Sequence, residues 1–386
     1  MKKILISFFM TFIIFMIMSP FCVQAYEGKI GIECSSEVEN LYNYISNMKL
    51  QEELLNDMDP KEYVSAFLKT GDGKFSMEKV TKGVITYALR EVTSSLKLMA
   101  IIIIIAIVCA LLNNLQSAFS NETISNIAFF ACYSLLIIIM AKSFYVGVDV
   151  AKVTINRMMD FMVALMPVLM MLLASLGGFS EAVVLDPIII GTIMISAKIF
   201  AQIIIPLICM SFVLQFVNSI SEEFKINRLT KLLNQIALWI QGIVMTLFIG
   251  IITIRGISSK TIDQVAAKTA KYAVDNFVPI VGKSLSDAVS TVAGYSLLLK
   301  NALSSIGLII IVIIIIFPVI KLLLMAFIYK LTAALIEPIS DKRLVDCISA
   351  AGDSLILIMS CVISISVMFF IIISIIAAAG KMAVGG

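Results

Sequence analysis

The chain has 386 residues, 60% of them hydrophobic and 14% charged, with a mean hydropathy of +1.04. A soluble domain carries about 25% charged residues, so a soluble multidomain protein is excluded and an integral membrane protein is indicated. The net charge of +3 is too small for a nucleic-acid partner, and the absence of histidine removes Ser-His-Asp and Cys-His catalysis, His-ligated metals and imidazole relays.

The first 25 residues read as an export signal. Met1-Lys2-Lys3 gives a positive start, Ile4 to Met18 an apolar core, and Val23-Gln24-Ala25 small residues for cleavage after Ala25. The rival reading is an uncleaved first span, for which fifteen apolar residues are short. Phe21 directly before Cys22 argues against a lipidation site.

Residues 26–95 form the one sizeable polar segment, with eight Lys/Arg and twelve Asp/Glu. Val38, Leu41, Tyr42 and Ile45 mark one helical stripe; Asp59-Pro60 supplies an N-cap and first helical residue, and Gly71 a stop. A third helix is predicted from near Ser76, merging into the first membrane span. Seventy residues bury little core, so a small helical extracytoplasmic domain resting on the membrane portion or a partner is expected.

From residue 96 to 386 a multipass membrane domain follows, with apolar segments near 96–115, 127–147, 161–177, 188–217, 235–254, 303–328 and 355–379. Most reach the roughly 20 residues a spanning helix needs, so the predicted fold class is all-α and polytopic. Pro167 and Pro206 interrupt two segments, and Gly177-Gly178 offers a sharp turn between 161–177 and 188–217. Broken backbone at membrane depth survives where it is buried in protein or lines a wet cavity, although proline is also common in ordinary membrane helices. Lys and Arg number three each in 142–160, 218–234 and 329–354, and six in 255–302. Neither seven full spans nor a re-entrant 161–187 hairpin puts the positive charge on one side. Within 255–302, Lys260, Lys268, Lys271 and Asp275 share one face opposite Ile262, Val265 and Phe277, as in a basic helix lying in a headgroup layer. Beyond it lies a semi-polar stretch with Asp287 and Gly294, open to a re-entrant or a surface-packed reading.

Polar groups inside the spans are few. Lys198 and Gln202, at i and i+4, share a helix face about 13 Å into their segment at 1.5 Å per residue. A lysine at that depth is a functional candidate by default, so the stripe is expected to face the bundle interior or a water-filled path. The competing reading is a structural charge paired with Asp160, Glu181 or Asp186. Cys109, Cys132, Cys209 and Cys361 read as small packing residues within apolar runs, and Cys347 as part of a polar connector; no Cys-x-x-Cys pair supports a metal or redox site. Ala106–Ala110 and Ser360–Ser364 permit close helix contact. No Walker or Rossmann fingerprint appears and span centres carry no aspartate pair, so no enzyme and no cofactor is expected.

Three strings carry a family resemblance: FMVALMPVLMMLLASLGGFSEAVVLDPIII (Phe161 to Ile190), DNFVPIVGKSLSDAVSTVAGYSLLLKNALSSIGLIII (Asp275 to Ile311), and FPVIKLLLMAFIYKLTAALIEPISDKRL up to Leu344. Together with the export signal and the DPKEYVSAFLKTG stretch, the chain resembles the stage III sporulation protein AE family over essentially its whole length. That resemblance implies a sporulation protein of the mother cell, multi-pass in the membrane around the forespore. The implied assembly is a secretion-like channel complex that supports late forespore gene expression. Implied partners are the other stage III sporulation A proteins (ring-forming, ATPase and small membrane members) and a forespore membrane protein. The family has no catalytic residues to carry over. A stand-alone secondary transporter or permease for a small solute is the alternative, with Lys198, Gln202 and the broken segments as its site.

Overall fold

The computed structural model describes the backbone of residues 77–118, 122–176, 179–220, 226–277, 282–340 and 342–378, with isolated positions between Val38 and Val64. In hydrocarbon every backbone N–H and C=O must be satisfied within its own segment, so long apolar runs become helices. The chain forms α1 (Met77–Ala118), α2 (Glu122–Ser175), α3 (Phe179–Ile199), a π-turn (Phe200–Ile204), α4 (Ile205–Ile220), α5 (Asn227–Phe277), α6 (Gly282–Ile336) and α7 (Lys342–Ala378). No strand occurs among the described residues. Because α3, the π-turn and α4 run on as one path, six helical paths among the described residues are long and apolar enough to cross a membrane.

The seven apolar segments therefore fall on six paths. Segments 127–147 and 161–177 both fall on the path of α2, an unbroken helix of 54 residues, and the charged 142–160 stretch between them is helix. Its one proline, Pro167, removes a single backbone donor without ending the helix. The stretch read as a candidate re-entrant hairpin, 161–187, divides between the end of α2, which runs unbroken to Ser175, and the start of the next path at Phe179. Likewise 255–277 does not form a separate helix in the membrane plane but continues α5, and 282–302 opens α6. At 51 to 55 residues, α2, α5 and α6 each extend about 80 Å, well beyond a hydrocarbon core of about 30 Å.

Side-chain contacts fix the directions. Antiparallel α2 and α6 meet where the Tyr329 hydroxyl donates to the Met140 carbonyl (3.4 Å), where Gly147 faces Leu322, and where Gly307 faces Leu165. Antiparallel α6 and α7 meet at Lys330 with Asp353, at Gly307 with Ile373, and at Lys300 with the Ala377 carbonyl. Helix α1 runs parallel to α6, pairing Tyr87 with Phe317 and Glu91 with Lys321. Path α3–α4 runs antiparallel to α2, with Phe144 stacked on Phe212 and the Tyr133 hydroxyl on the Phe216 carbonyl. The Ser211 hydroxyl reaches the Thr230 carbonyl of α5 across the 221–226 connector.

Glycines set the closest approaches. A methyl on Gly147 would stand 2.6 Å from a Leu355 methyl, and one on Gly307 2.7 Å from a Leu165 methyl. On Gly352 it would press 3.1 Å against the Ala326 carbonyl oxygen, a backbone atom that cannot swing aside. Cys347 lies fully buried in α7 beneath Tyr133, so it is a packing residue of the bundle and not part of a polar connector. Cys109 and Cys361 are buried as expected, Cys209 is half-buried, and the Cys132 side chain lies outside the described residues.

Helix α1 starts at Met77, one residue from the expected start near Ser76. Nearly all of 26–76, including Asp59-Pro60 and Gly71, lies outside the described residues. Six alternating paths place the entry to α1, the 278–281 connector and the end of α7 on one face, and 119–121, 221–226 and 337–341 on the other. A topology reporter fused at Gly71 should therefore report the same compartment as one at residue 280 or at the C-terminus, and the opposite one from residue 224. Agreement between the Gly71 and residue 224 fusions would break the six-path order.

Candidate functional site: a polar layer inside the apolar bundle

Helices α6 and α7 define where the apolar layer lies. Between Gly307 and Leu322, α6 carries one charge, Lys321, and between Leu355 and Ile373 α7 carries none. These are the stretches that touch Gly147 and Leu165 of α2. The span of α2 between those two residues is about 27 Å long at 1.5 Å per residue, close to a full hydrocarbon thickness. Yet it holds Asp149, Lys152, Arg157 and Asp160. The uncharged stretches of α1 and α2 are thus staggered along the bundle axis relative to those of α6 and α7, and charged groups come level with the most apolar part of the protein.

Some polar groups at this level are partnered across helices. Lys321 Nζ lies 3.7 Å from Glu91 Oε1, both largely buried, with Tyr87 against Phe317 one turn away. Gln241 of α5 is bonded on both ends of its amide. Its Nε2 donates to Ser364 Oγ (2.6 Å) and the Ser360 carbonyl (3.3 Å), and its Oε1 accepts from Ser360 Oγ (3.2 Å). The small Ser360 and Ser364 thus serve as close-contact positions and as partners for an amide that hydrocarbon would leave unsatisfied. Lys330 Nζ pairs with Asp353 Oδ1 (2.6 Å) and Ser349 Oγ (3.1 Å).

Lys300 has no solvent exposure. Its Nζ donates to the Ala377 carbonyl (3.3 Å), one of the last carbonyls of α7 that have no partner within their own helix. A cation at a helix C-terminus is favoured by the macrodipole, which accounts for a lysine at this depth. Ser296 and Ser304, one turn to either side, are buried on the same face.

The sequence-predicted residues are dispersed. Lys198 and Gln202 do share a face, but both are exposed on the outer surface, while Ile193, Ala197, Phe200, Ile204 and Ile208 fill the inward side. They do not point into the interior of this chain's bundle. The π-turn follows Lys198, contains Gln202 and ends just before Pro206: Ile205 N–H bonds the Phe200 carbonyl, five residues back, and Pro206 has no N–H to offer the Gln202 carbonyl. Pro206 is exposed and Pro167 half-buried within α2. Among the described residues no ion pair joins Lys198 to Asp160; the side chains of Glu181 and Asp186 lie outside them. Gly177 and Gly178 also lie outside, between Leu176 and the start of α3. Asp287 and Gly294 sit on α6, their surroundings likewise outside. Of the eight predicted positions, four have described side chains: Lys198, Gln202 and Pro206 on the outer surface, and Pro167 half-buried in α2.

Sequence reasoning missed Lys321, Glu91, Gln241 and Lys300. Lys321 stands inside the 303–328 segment and Gln241 inside 235–254, where any ionisable or amide group is a signal. Lys300 was hidden because it counted among the loop charges of 255–302.

The family model for stage III sporulation protein AE matches residues 58–380. A curated relative, stage III sporulation protein AE of Bacillus subtilis (strain 168), is 36% identical over 312 residues, covering 81% of this chain and 78% of the relative. No solved structure matches the chain.

Removing one member of the Glu91–Lys321 pair strands the other in an apolar setting, whereas removing both does not. Lys321→Met alone should destabilise the protein, by less than the roughly 3–5 kcal/mol of a fully buried pair. Adding Glu91→Gln should recover part of the loss. Thermal unfolding in detergent followed by size-exclusion chromatography reads both values; strictly additive losses would show that the pair is not coupled.

Proposed function

The chain belongs to the stage III sporulation protein AE family, and from that membership we propose that it is a non-enzymatic membrane core component of a secretion-like channel complex linking mother cell and forespore. Its role in sporulation follows from the family; the channel is the reading that the architecture favours. The observation that carries it is the layer of Asp149, Asp160, Lys198 and Gln202 on the outer surface at the depth of the uncharged stretches of α6 and α7. A charge there costs about 2.5–3.5 kcal/mol on insertion scales if it meets lipid. A protein that worked alone would gain by turning such groups inward, around a substrate. Here they lie outside, where protein neighbours or water between subunits can solvate them.

In this reading the protein sits multi-pass in the mother-cell-derived membrane around the forespore. Residues 26–76, the part of the expected 26–95 domain that precedes α1, face the intermembrane space behind a cleaved signal, whereas 77–95 belong to the first spanning path, where Tyr87 and Glu91 meet Phe317 and Lys321. The ring-forming, ATPase and small members of the stage III sporulation A group, with a forespore membrane protein, are its partners. Gly177-Gly178 makes the turn between α2 and α3.

Deleting the gene in its sporulating host should arrest sporulation with late forespore reporters silent, and a tagged copy should recover the ring and ATPase partners from sporulating membranes. Solute uptake by the purified protein alone in liposomes, with no partner recovered, would instead favour the stand-alone transporter.

A further inference from the structure

The outward face of α2 carries Lys142, Asp149, Asn156 and Asp160 at helical spacing, all exposed. The neighbouring path carries exposed Lys198 and Gln202. The antiparallel register anchored by Phe144 on Phe212 makes levels comparable. Lys198 lies fourteen residues before Phe212 and Asp160 sixteen residues after Phe144, so the two stand within about one turn of the same depth. Acid and base are thus set out on adjacent helices at one level, both facing away from the bundle, with no ion pair between them among the described residues.

We propose that this outward polar stripe is the contact between copies of the chain, closed by Lys198 of one copy against Asp160 of the next. Rotation about the membrane normal, the symmetry open to copies in one bilayer, preserves depth. Groups at equal depth on one chain therefore meet at equal depth on its neighbour. The stripe carries both signs, and at the shared depth of Lys198 and Asp160 a second copy brings an opposite charge to each. A partner of a single sign would satisfy half of them and repel the rest. Asn156 and Gln202 lie within the same contact and supply neutral donors and acceptors along it. The proposal concerns self-association and holds whether or not the assembly conducts anything.

The test uses the full chain in a non-sporulating host, where no sporulation partner is present, so that its failure is separate from failure of the channel reading. Two differently tagged copies are co-expressed, extracted into nanodiscs and recovered through one tag. Both tags are expected together. Asp160→Lys and Lys198→Asp should each lower co-recovery at least about tenfold through like-charge contact, and a mixture of one copy carrying each change should restore it. Because a charge reversal can misfold the chain, Asn156→Cys is tested in native membranes with a short bifunctional thiol reagent, beside the unmodified chain and Leu247→Cys, an exposed position on α5. A band at twice the chain mass that is specific to Asn156→Cys supports the contact. Recovery of single copies only, equal crosslinking at Asn156 and Leu247, or an Asn156 adduct with a different protein would each overturn it.

Discussion

The antiparallel pairing of α6 with α7 is the constraint on which the rest of the structure depends. Two stretches almost without charge, 307–322 and 355–373, lie side by side, brought close by Gly307 and Gly352 and tied at their ends by Lys330–Asp353 and Lys300–Ala377. Burial of this apolar surface fixes which slab of the bundle belongs in hydrocarbon. Every other helix is then placed relative to that slab by its contacts. Helix α2 is placed by Gly147 and Leu165, α1 by Glu91 on Lys321, and α5 by Gln241 on Ser360 and Ser364.

The placement has a consequence for energetics. Inside the bundle the charged and amide groups at this depth have partners, Glu91 with Lys321, the Gln241 amide with two serines and Lys300 with a terminal carbonyl, while the buried Ser304 Oγ and Asn234 Oδ1 have no hydrogen-bond partner among the described residues. On the outer face of α2 and the π-turn path, Asp149, Asp160 and Lys198 have no ion pair among the described residues. Charge on the flank of a membrane protein at bilayer depth is costly against lipid and is relieved by a polar neighbour or water. Membership of a family named for a stage of sporulation fits such a neighbour, since the resemblance implies a multiprotein complex.

The sequence made the helical class, the start of α1 and five of the six paths legible, because hydropathy over about 20 residues is a strong signal. It failed where charge and continuity conflict. Residues 142–160 read as a loop because they hold five charged side chains, but nothing there breaks a helix, and α2 passes through with its buried face on Ala151, Ile155 and Met158. The basic 255–277 stretch was misjudged for the same reason, as helicity outlasts hydrophobicity at the end of α5. Lys198 with Gln202 was correctly placed on one face, but composition cannot say which face a neighbour covers. The Glu91–Lys321 contact joins residues 230 positions apart, and no local pattern announces it.

The central claim is that the charged 147–165 stretch of α2 crosses the hydrocarbon layer beside 307–322 of α6. An electron cryomicroscopy map of the full chain in a lipid nanodisc tests it most directly, because the disc density marks the layer. The account predicts disc density level with 307–322, 355–373 and 147–165 together, with the charged face of α2 turned away from the lipid toward a second copy. A disc centred on 98–112 and 127–141, leaving 307–322 outside the lipid, would contradict it.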